Sequence, residues 1–233
     1  MLTLAIDTST KTGSVALLKG ASILAECFTN AGINHSETLL PTIETVLSVG
    51  GVEIGEVDLF ALTTGPGSFT GLRIGASTVK GLALATGKPV VGVSTMDALA
   101  LNVADSTITI CPMLDARKRE VYTARYRPVK NGMPEKLESE KVVDAEEFLK
   151  SLNEDVIFLG DGAKNYVGLI REILPDRSCF ASPHLQYVKA SAVGLIGMKK
   201  FSDGDILELM TFTPQYLRLS EAEVKKVAEA GRK

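Results

Sequence analysis

The chain has 233 residues, 45% of them hydrophobic and 23% charged, with a formal net charge of −3. That length fits one large domain or two small ones with real cores, and the acidic balance excludes a protein that grips nucleic acid unaided through bulk electrostatics. No apolar run approaches the ~20 residues of a membrane-spanning helix. The N-terminus, MLTLAIDTST, opens as a strand with no charged region before it, unlike a signal peptide. Cys27, Cys111 and Cys179 are odd in number, widely spaced and set among apolar residues, so reduced core thiols are expected. Together these features predict a soluble, cytoplasmic protein with no membrane partner.

In chain order, three strands come first: LTLAIDTS (2–9), GSVALLKG (13–20) and SILAECFT (22–29). Asn34 and Glu37 have capping-box spacing, and Leu39, Leu40, Ile43, Val46 and Leu47 recur at helical intervals until Gly50 and Gly51. Pro41 is expected to kink this helix, 36–49, or to mark its first turn. Strand DLFALTT (58–64) leads into GPGSFTGLRIG (65–75), which opens a helix expected over 70–86. Strand PVVGVS (89–94) follows, then a helix from Thr95 capped by Ser94.

The second half repeats this order. TITICPMLD (107–115) and EVYTARYR (120–127) read as a hairpin, and KLESEKVV (136–143) as a third strand. Asp144 caps AEEFLKSL, and then come strand VIFLG (156–160), helix NYVGLIREIL (165–174), strand SCFAS (178–182) and helix SAVGLIGMKKF (191–201). Both halves thus read βββαβαβα, an α/β duplication that matches the actin-like ATPase architecture of two lobes across a cleft. The expected lobes are 1–105 and 106–220, followed by a polar tail, 221–233.

Several chemical motifs fail on spacing. GLALATGKP lacks the P-loop interval, and Pro89 stands where a magnesium-binding Ser or Thr belongs. GVSTM has Met96 in place of the second glycine of a nucleophile elbow. His35 and His184 are the only histidines and are far apart, so no metal site is expected. In the actin-like plan an acidic residue at each first-strand end organises magnesium at the phosphates. Asp7 and Asp115 occupy those ends, with Gly160 and Gly162 at the place that accepts adenosine. The alternative for both aspartates, simple strand-end turn residues, stays open. The turn after Asp115, DARKRE, is bulky and basic, and Asp161 opposes an anionic ligand. ATP or ADP would accordingly bind only weakly, and no cofactor is expected.

LAIDTST, SVALL, HSETLLPTIETVL, TPQYLR and above all GPGSFTGLRIGASTVKGLALATGKPVVGVSTMDALA resemble the TsaB (YeaZ) family, densely over residues 2–100. The resemblance implies a role in making threonylcarbamoyladenosine beside the anticodon of tRNAs that read codons beginning with A. The family's members pair with a catalytic paralogue, TsaD, and are joined by the ATPase TsaE. TsaD carries two metal-binding histidines four residues apart. In the corresponding run VSTMDAL those positions hold Thr95 and Leu99, which implies a non-catalytic scaffold that meets tRNA only through the complex. The rival reading is an ATP-dependent phosphotransferase on the same fold.

The helix over 70–86 places Leu72, Ala76, Val79 and Ala83 on one face, toward the chain's own sheet. Gly71, Gly75 and Thr78 form an adjacent small-residue stripe, broadened by Ser77. Interior glycines each cost about 1 kcal/mol relative to alanine, so close approach by another helix is expected to offset them. With the helix at 36–49 this stripe predicts a partner surface of Leu39, Ile43, Val46, Gly71, Ile74, Gly75, Ser77 and Thr78. The same surface would serve self-association when TsaD is absent. The competing explanation is that the glycines seat the helix on its own neighbour.

Overall fold

A computed structural model describes residues 1–218; the expected tail, 221–233, lies outside them. The first lobe runs β1 (Leu2–Asp7), β2 (Gly13–Lys19), β3 (Ser22–Thr29), α1 (His35–Gly50), β4 (Leu59–Gly65), α2 (Phe69–Thr86), β5 (Val90–Ser94) and α3 (Thr95–Leu101). Its five-stranded sheet has the order β3-β2-β1-β4-β5. The three opening strands pair antiparallel, while β1, β4 and β5 are mutually parallel. Parallel strands need crossover connections, and α1 and α2 supply them. The nearly unbroken burial of β1 and β4 follows from helices lying on both faces.

The second lobe repeats the plan with β6 (Thr109–Arg117), β7 (Glu120–Thr123), β8 (Tyr126–Arg127), β9 (Glu135–Lys136), β10 (Lys141–Asp144), α4 (Ala145–Lys150), β11 (Val156–Leu159), α5 (Asp161–Asn165), α6 (Val167–Ile173), β12 (Ser178–Phe180) and α7 (Ala190–Ser202). The core order β10-β7-β6-β11-β12 matches that of the first sheet. Two expected strands are broken. EVYTARYR divides into β7 and β8, both paired with β6, and 136–143 divides into β9 and β10. At the first break Arg125 turns away to Glu138 and Glu154, at 2.9 and 3.0 Å. The expected helix over 165–174 is α6, and a short helix not expected from the sequence, α5, precedes it and meets it at Tyr166.

Local signals set the element ends. Ser94 caps α3 by accepting from the N–H groups of Met96 and Asp97, and Asp144 caps α4 in the same way through Glu146 and Glu147. Asn34 instead spends its side chain on Glu37, at 3.0 Å. Gly51, left-handed at φ 62°, ends α1, and Pro41 lies inside that helix, beyond its first turn. Cys111 is buried and Cys27 half-buried as free thiols, but Cys179 is exposed on β12, correcting the expectation of three core thiols. β12 is a short edge strand, and its alternate residues face outward.

The repeat in sequence does not give two separate halves in space. Helix α7 packs across β1, β2, β4 and β5 of the first sheet, and its N-terminus is held by Glu26 of β3. Close contact requires glycine there: a Cβ on Gly194 would come within 2.5 Å of Leu18, and one on Gly197 within 2.6 Å of Ala61. A core cluster therefore joins Ala5, Leu18, Ala61 and Val93 to Ile110, Leu114, Tyr126 and Val193 across both lobes. Residues 205–218 then return over the first lobe as a strap. Leu207 N–H donates to Val90 O (2.8 Å), Gln215 N–H to Thr64 O (2.7 Å), and Lys80 Nζ to Phe212 O (2.6 Å).

Gly197→Leu forces side-chain volume against Ala61 and is expected to cost about 2 kcal/mol of stability, read as a lowered urea midpoint. A wild-type midpoint for that variant would contradict the close packing of α7.

Candidate functional site

Asp7 ends β1 in full burial. One carboxylate oxygen accepts three hydrogen bonds: from Ser9 N–H (3.1 Å), Ser9 Oγ (2.6 Å) and Thr63 Oγ1 of β4 (2.8 Å). The other oxygen has no hydrogen-bond partner among the described residues. Burial pushes the carboxyl above its ordinary value, against the opposing pull of those donors. Thr8, Ser9 and Thr12, the residues of the following turn, are buried with it.

The turn is covered by GPGSFTG. Ser68 N–H donates to Ser9 O at 2.6 Å, and Ser68 Oγ accepts from Gly71 N–H as the α2 cap. Thr8 Oγ1 donates to Gly71 O at 2.8 Å. Cβ atoms on Gly67, Gly71 and Gly75 would stand 2.2 Å from Ser9 O, 2.1 Å from Thr8 O and 2.4 Å from Thr8 Oγ1. The glycines of α2 therefore seat it on the turn after β1, which corrects the expectation that Gly71 and Gly75 lie open to a partner helix. The turn after β1 is thus packed against α2 by the chain's own atoms.

The second turn is built differently. Asp115 Oδ1 accepts from Arg117 N–H (2.7 Å), and Oδ2 accepts from Asn165 Nδ2 (3.0 Å). Asp161 Oδ1 accepts from Asp115 N–H at 3.0 Å, and burial raises its carboxyl above the usual range. Gly160 and Gly162 belong to packing: their Cβ atoms would fall 2.2 Å from Met113 O and 2.8 Å from the Leu114 carbonyl carbon. Asp115, Gly160 and Gly162 are thus brought together, but through contacts that close β6 onto α5. Arg117, Lys118 and Arg119 all hold positive φ, at 62°, 52° and 67°. A two-residue hairpin turn with both φ positive favours Asn-Gly, yet here exposed basic side chains stand in it. Arg119 is paired with Glu146 at 3.1 Å.

Thr95 and Leu99 lie fully buried on α3, Leu99 within the core that joins the lobes. Thr95 Oγ1 has no hydrogen-bond partner among the described residues. Among the described residues no group of three His, Cys, Asp or Glu side chains is placed to hold a metal ion.

The open feature is a groove of about 480 Å³ between the outer faces of α1 and α2. It is lined by His35, Ser36, Leu39, Leu40, Phe69, Thr70, Arg73, Ile74, Ser77 and Thr78. Of the expected partner residues, Leu39, Ile74, Ser77 and Thr78 line it, Leu39 from its buried position at the base. Leu39, Ile43 and Val46 are only 5%, 3% and 2% exposed, packed with Leu4, Ile6, Leu17 and Phe60. Their spacing fits the inward stripe of α1, which corrects their assignment as surface. Leu40, one residue on from that stripe, is 53% exposed. The expected partner set did not include Leu40, Phe69 or Arg73, all of which line the groove. A stack fixes Arg73: its guanidinium carbon lies 3.9 Å from the Phe69 ring centroid, and Nε donates to Tyr216 Oη at 3.3 Å. His35 Nε2 is 2.7 Å from Thr10 O, tying the start of α1 to the same closed turn.

The sequence matches the family described as TsaD, tRNA N6-adenosine threonylcarbamoyltransferase, over residues 29–226. It is 32% identical to the tRNA threonylcarbamoyladenosine biosynthesis protein TsaB of Bacillus subtilis, the alignment covering 97% of each chain. Identity to the TsaB of Escherichia coli is 30%, over 94% of this chain and 95% of that one. In structure it is similar to YeaZ from Pseudomonas aeruginosa, with TM-score 0.79 and 30% identity, over 93% of this chain and 99% of that one. The component A of an Acidaminococcus fermentans (R)-2-hydroxyglutaryl-CoA dehydratase shares the fold alone, at TM-score 0.52 and 16% identity, over 87% and 99% of the two chains. Duplicated lobes, the GPGSFTGLRIG helix and near full-length relatives agree: this chain belongs to the TsaB (YeaZ) family of tRNA threonylcarbamoyladenosine biosynthesis proteins.

Proposed function

We propose that this chain is a non-catalytic, cytoplasmic subunit of the threonylcarbamoyladenosine machinery, which docks on the transferase TsaD through the α1–α2 groove, with TsaE joining the pair. The observation that carries the reading is the filled turn: Thr8 and Ser9 meet α2 where an actin-like ATPase would need room for phosphates. A phosphotransferase would need that turn open and its backbone N–H groups free, whereas Ser9 N–H is committed to Asp7 Oδ1 and Thr12 N–H to Thr10 Oγ1. Thr95 and Leu99 bring little ligand chemistry to the positions where the paralogue holds its metal. What the chain leaves open instead is apolar surface on two adjacent helices, Leu40 and Ile74, edged by Ser77 and Thr78. A helix-in-groove contact uses such a surface, and its contribution to catalysis is to hold TsaD in its active form.

Reconstitution tests the reading. With TsaD, TsaE and tRNA supplied, modification is expected to require this chain; equal rates without it would reject the proposal. Leu40→Asp combined with Ile74→Asp places two charges in the groove and is expected to weaken TsaD binding at least about tenfold, measured by calorimetry on the folded variant.

Asp7 supplies a second test. Because burial raises its carboxyl, the folded state holds this proton more tightly than the unfolded chain. The resulting stabilisation is present below the ordinary carboxylate range and is lost as pH rises through the folded value. Asp7→Asn removes that pH-dependent loss, so its urea midpoint is expected to gain on wild type between about pH 4 and pH 8. Modification supported by the variant is expected to persist. Abolished modification by a folded Asp7→Asn protein would instead favour a catalytic carboxylate.

A further inference from the structure

The groove described above has an apolar floor and a single fixed cation, and these two features differ in what they select. Arg73 is exposed at the groove wall, yet its guanidinium is not free to wander. It lies over Phe69 at 3.9 Å and 5.9 Å from the Tyr216 centroid, and the two rings are themselves 4.3 Å apart. Tyr216 comes from the strap, which is anchored one residue earlier by Gln215 N–H on Thr64 O. Stacked planar guanidinium with unused donors is pre-organised for a carboxylate, because little rotamer freedom remains to be lost. Among the described residues no Asp or Glu forms an ion pair with Arg73.

The lining also contains His35 and no Asp or Glu. In a two-fold pair of identical chains the same lining faces itself, so a second copy brings another Arg73 and no counter-charge from that surface. A heterologous partner is under no such restriction. We infer that Arg73, held in place by Phe69 and by Tyr216 of the strap, is the charged anchor of this groove, and that it selects a partner helix bearing a carboxylate over a second copy of this chain. Arg73 makes the contact and Tyr216 is a positioning residue, which makes the strap part of the docking site. The inference rests on the proposed docking of TsaD in the groove.

The test uses the full chain and TsaD from the same organism, with binding and self-association measured separately by calorimetry and sedimentation equilibrium. Arg73→Glu is expected to weaken TsaD binding at least about tenfold, with Arg73→Lys restoring only part of it. Raising salt from about 0.05 M to 0.3 M should weaken the wild-type pair more than the Arg73→Ala pair. Self-association of Arg73→Ala is expected to be unchanged or stronger. Tyr216→Ala is expected to weaken binding in the wild-type background but add nothing in the Arg73→Ala background, a coupling that a purely structural role would not produce.

Wild-type affinity and salt dependence in Arg73→Glu would overturn the inference, as would equal weakening of TsaD binding and self-association by Arg73→Ala. Ile74→Asp separates the two levels. If it abolishes TsaD binding while Arg73→Glu does not, only the charged anchor falls; if it leaves binding intact, the groove reading falls with it.

Discussion

The contact between Thr8 and the glycines of α2 governs how the rest of this molecule is used. Thr8 Oγ1 reaches Gly71 O at 2.8 Å, and neither Gly71 nor Gly75 could carry a Cβ without striking the same residue. Drawing α2 so close does two things at once. It shuts the turn beside Asp7, and it fixes the outer face of α2 next to α1, so that the surface left open is a groove between helices. In this geometry the turn after β1 is taken up by the chain's own packing, and the groove between α1 and α2 stays open. The two interior glycines, unfavourable for the helix by about 1 kcal/mol each, are offset by packing that a larger residue would forbid.

The duplicated lobes have moved apart from this point. The first turn buries Thr8 and Ser9, with one oxygen of Asp7 engaged by Ser9 and Thr63. The second projects three basic residues in left-handed conformation, each disfavoured by roughly 1–2 kcal/mol, and rests on Asp115 accepting from Arg117. Equivalent strand ends thus carry different solutions, one packed against α2 and one closing β6 onto α5 beside an exposed basic hairpin tip. A shared ancestral frame constrains strand order far more than it constrains what the turns contain.

Much of the frame was legible because it depends on periodicity. The repeated strand and helix order, the caps at Ser94 and Asp144 and the stop at Gly51 are local signals, and the structure uses each of them. The face of α2 made of Leu72, Ala76, Val79 and Ala83 is buried as its spacing required. The candidate site was less legible, because glycine records that something comes close without recording what. Gly71 and Gly75 fitted a partner helix as well as they fitted Thr8, which lies 63 residues before Gly71 in the chain. Apolar count misled in α1 for a related reason: Leu39, Ile43 and Val46 fill the chain's own core, and of the five positions at helical spacing only Leu40 is turned outward. The Arg73 stack could not be read at all, since Tyr216 arrives from the far end of the described chain.

Helix α7 has a consequence for the order in which the molecule is made. It covers β1, β2, β4 and β5 through Gly194 and Gly197, although some 100 residues separate it from the last of those strands. While the chain emerges from the ribosome, the opening sheet has one apolar side dressed by α1 and α2 and the other undressed. That side must wait for the polypeptide to be synthesised through Ser202, so the lobe made first is the one finished last. A nascent chain of this architecture is therefore sticky for most of its synthesis, and closing it is a single late event that locks both lobes together.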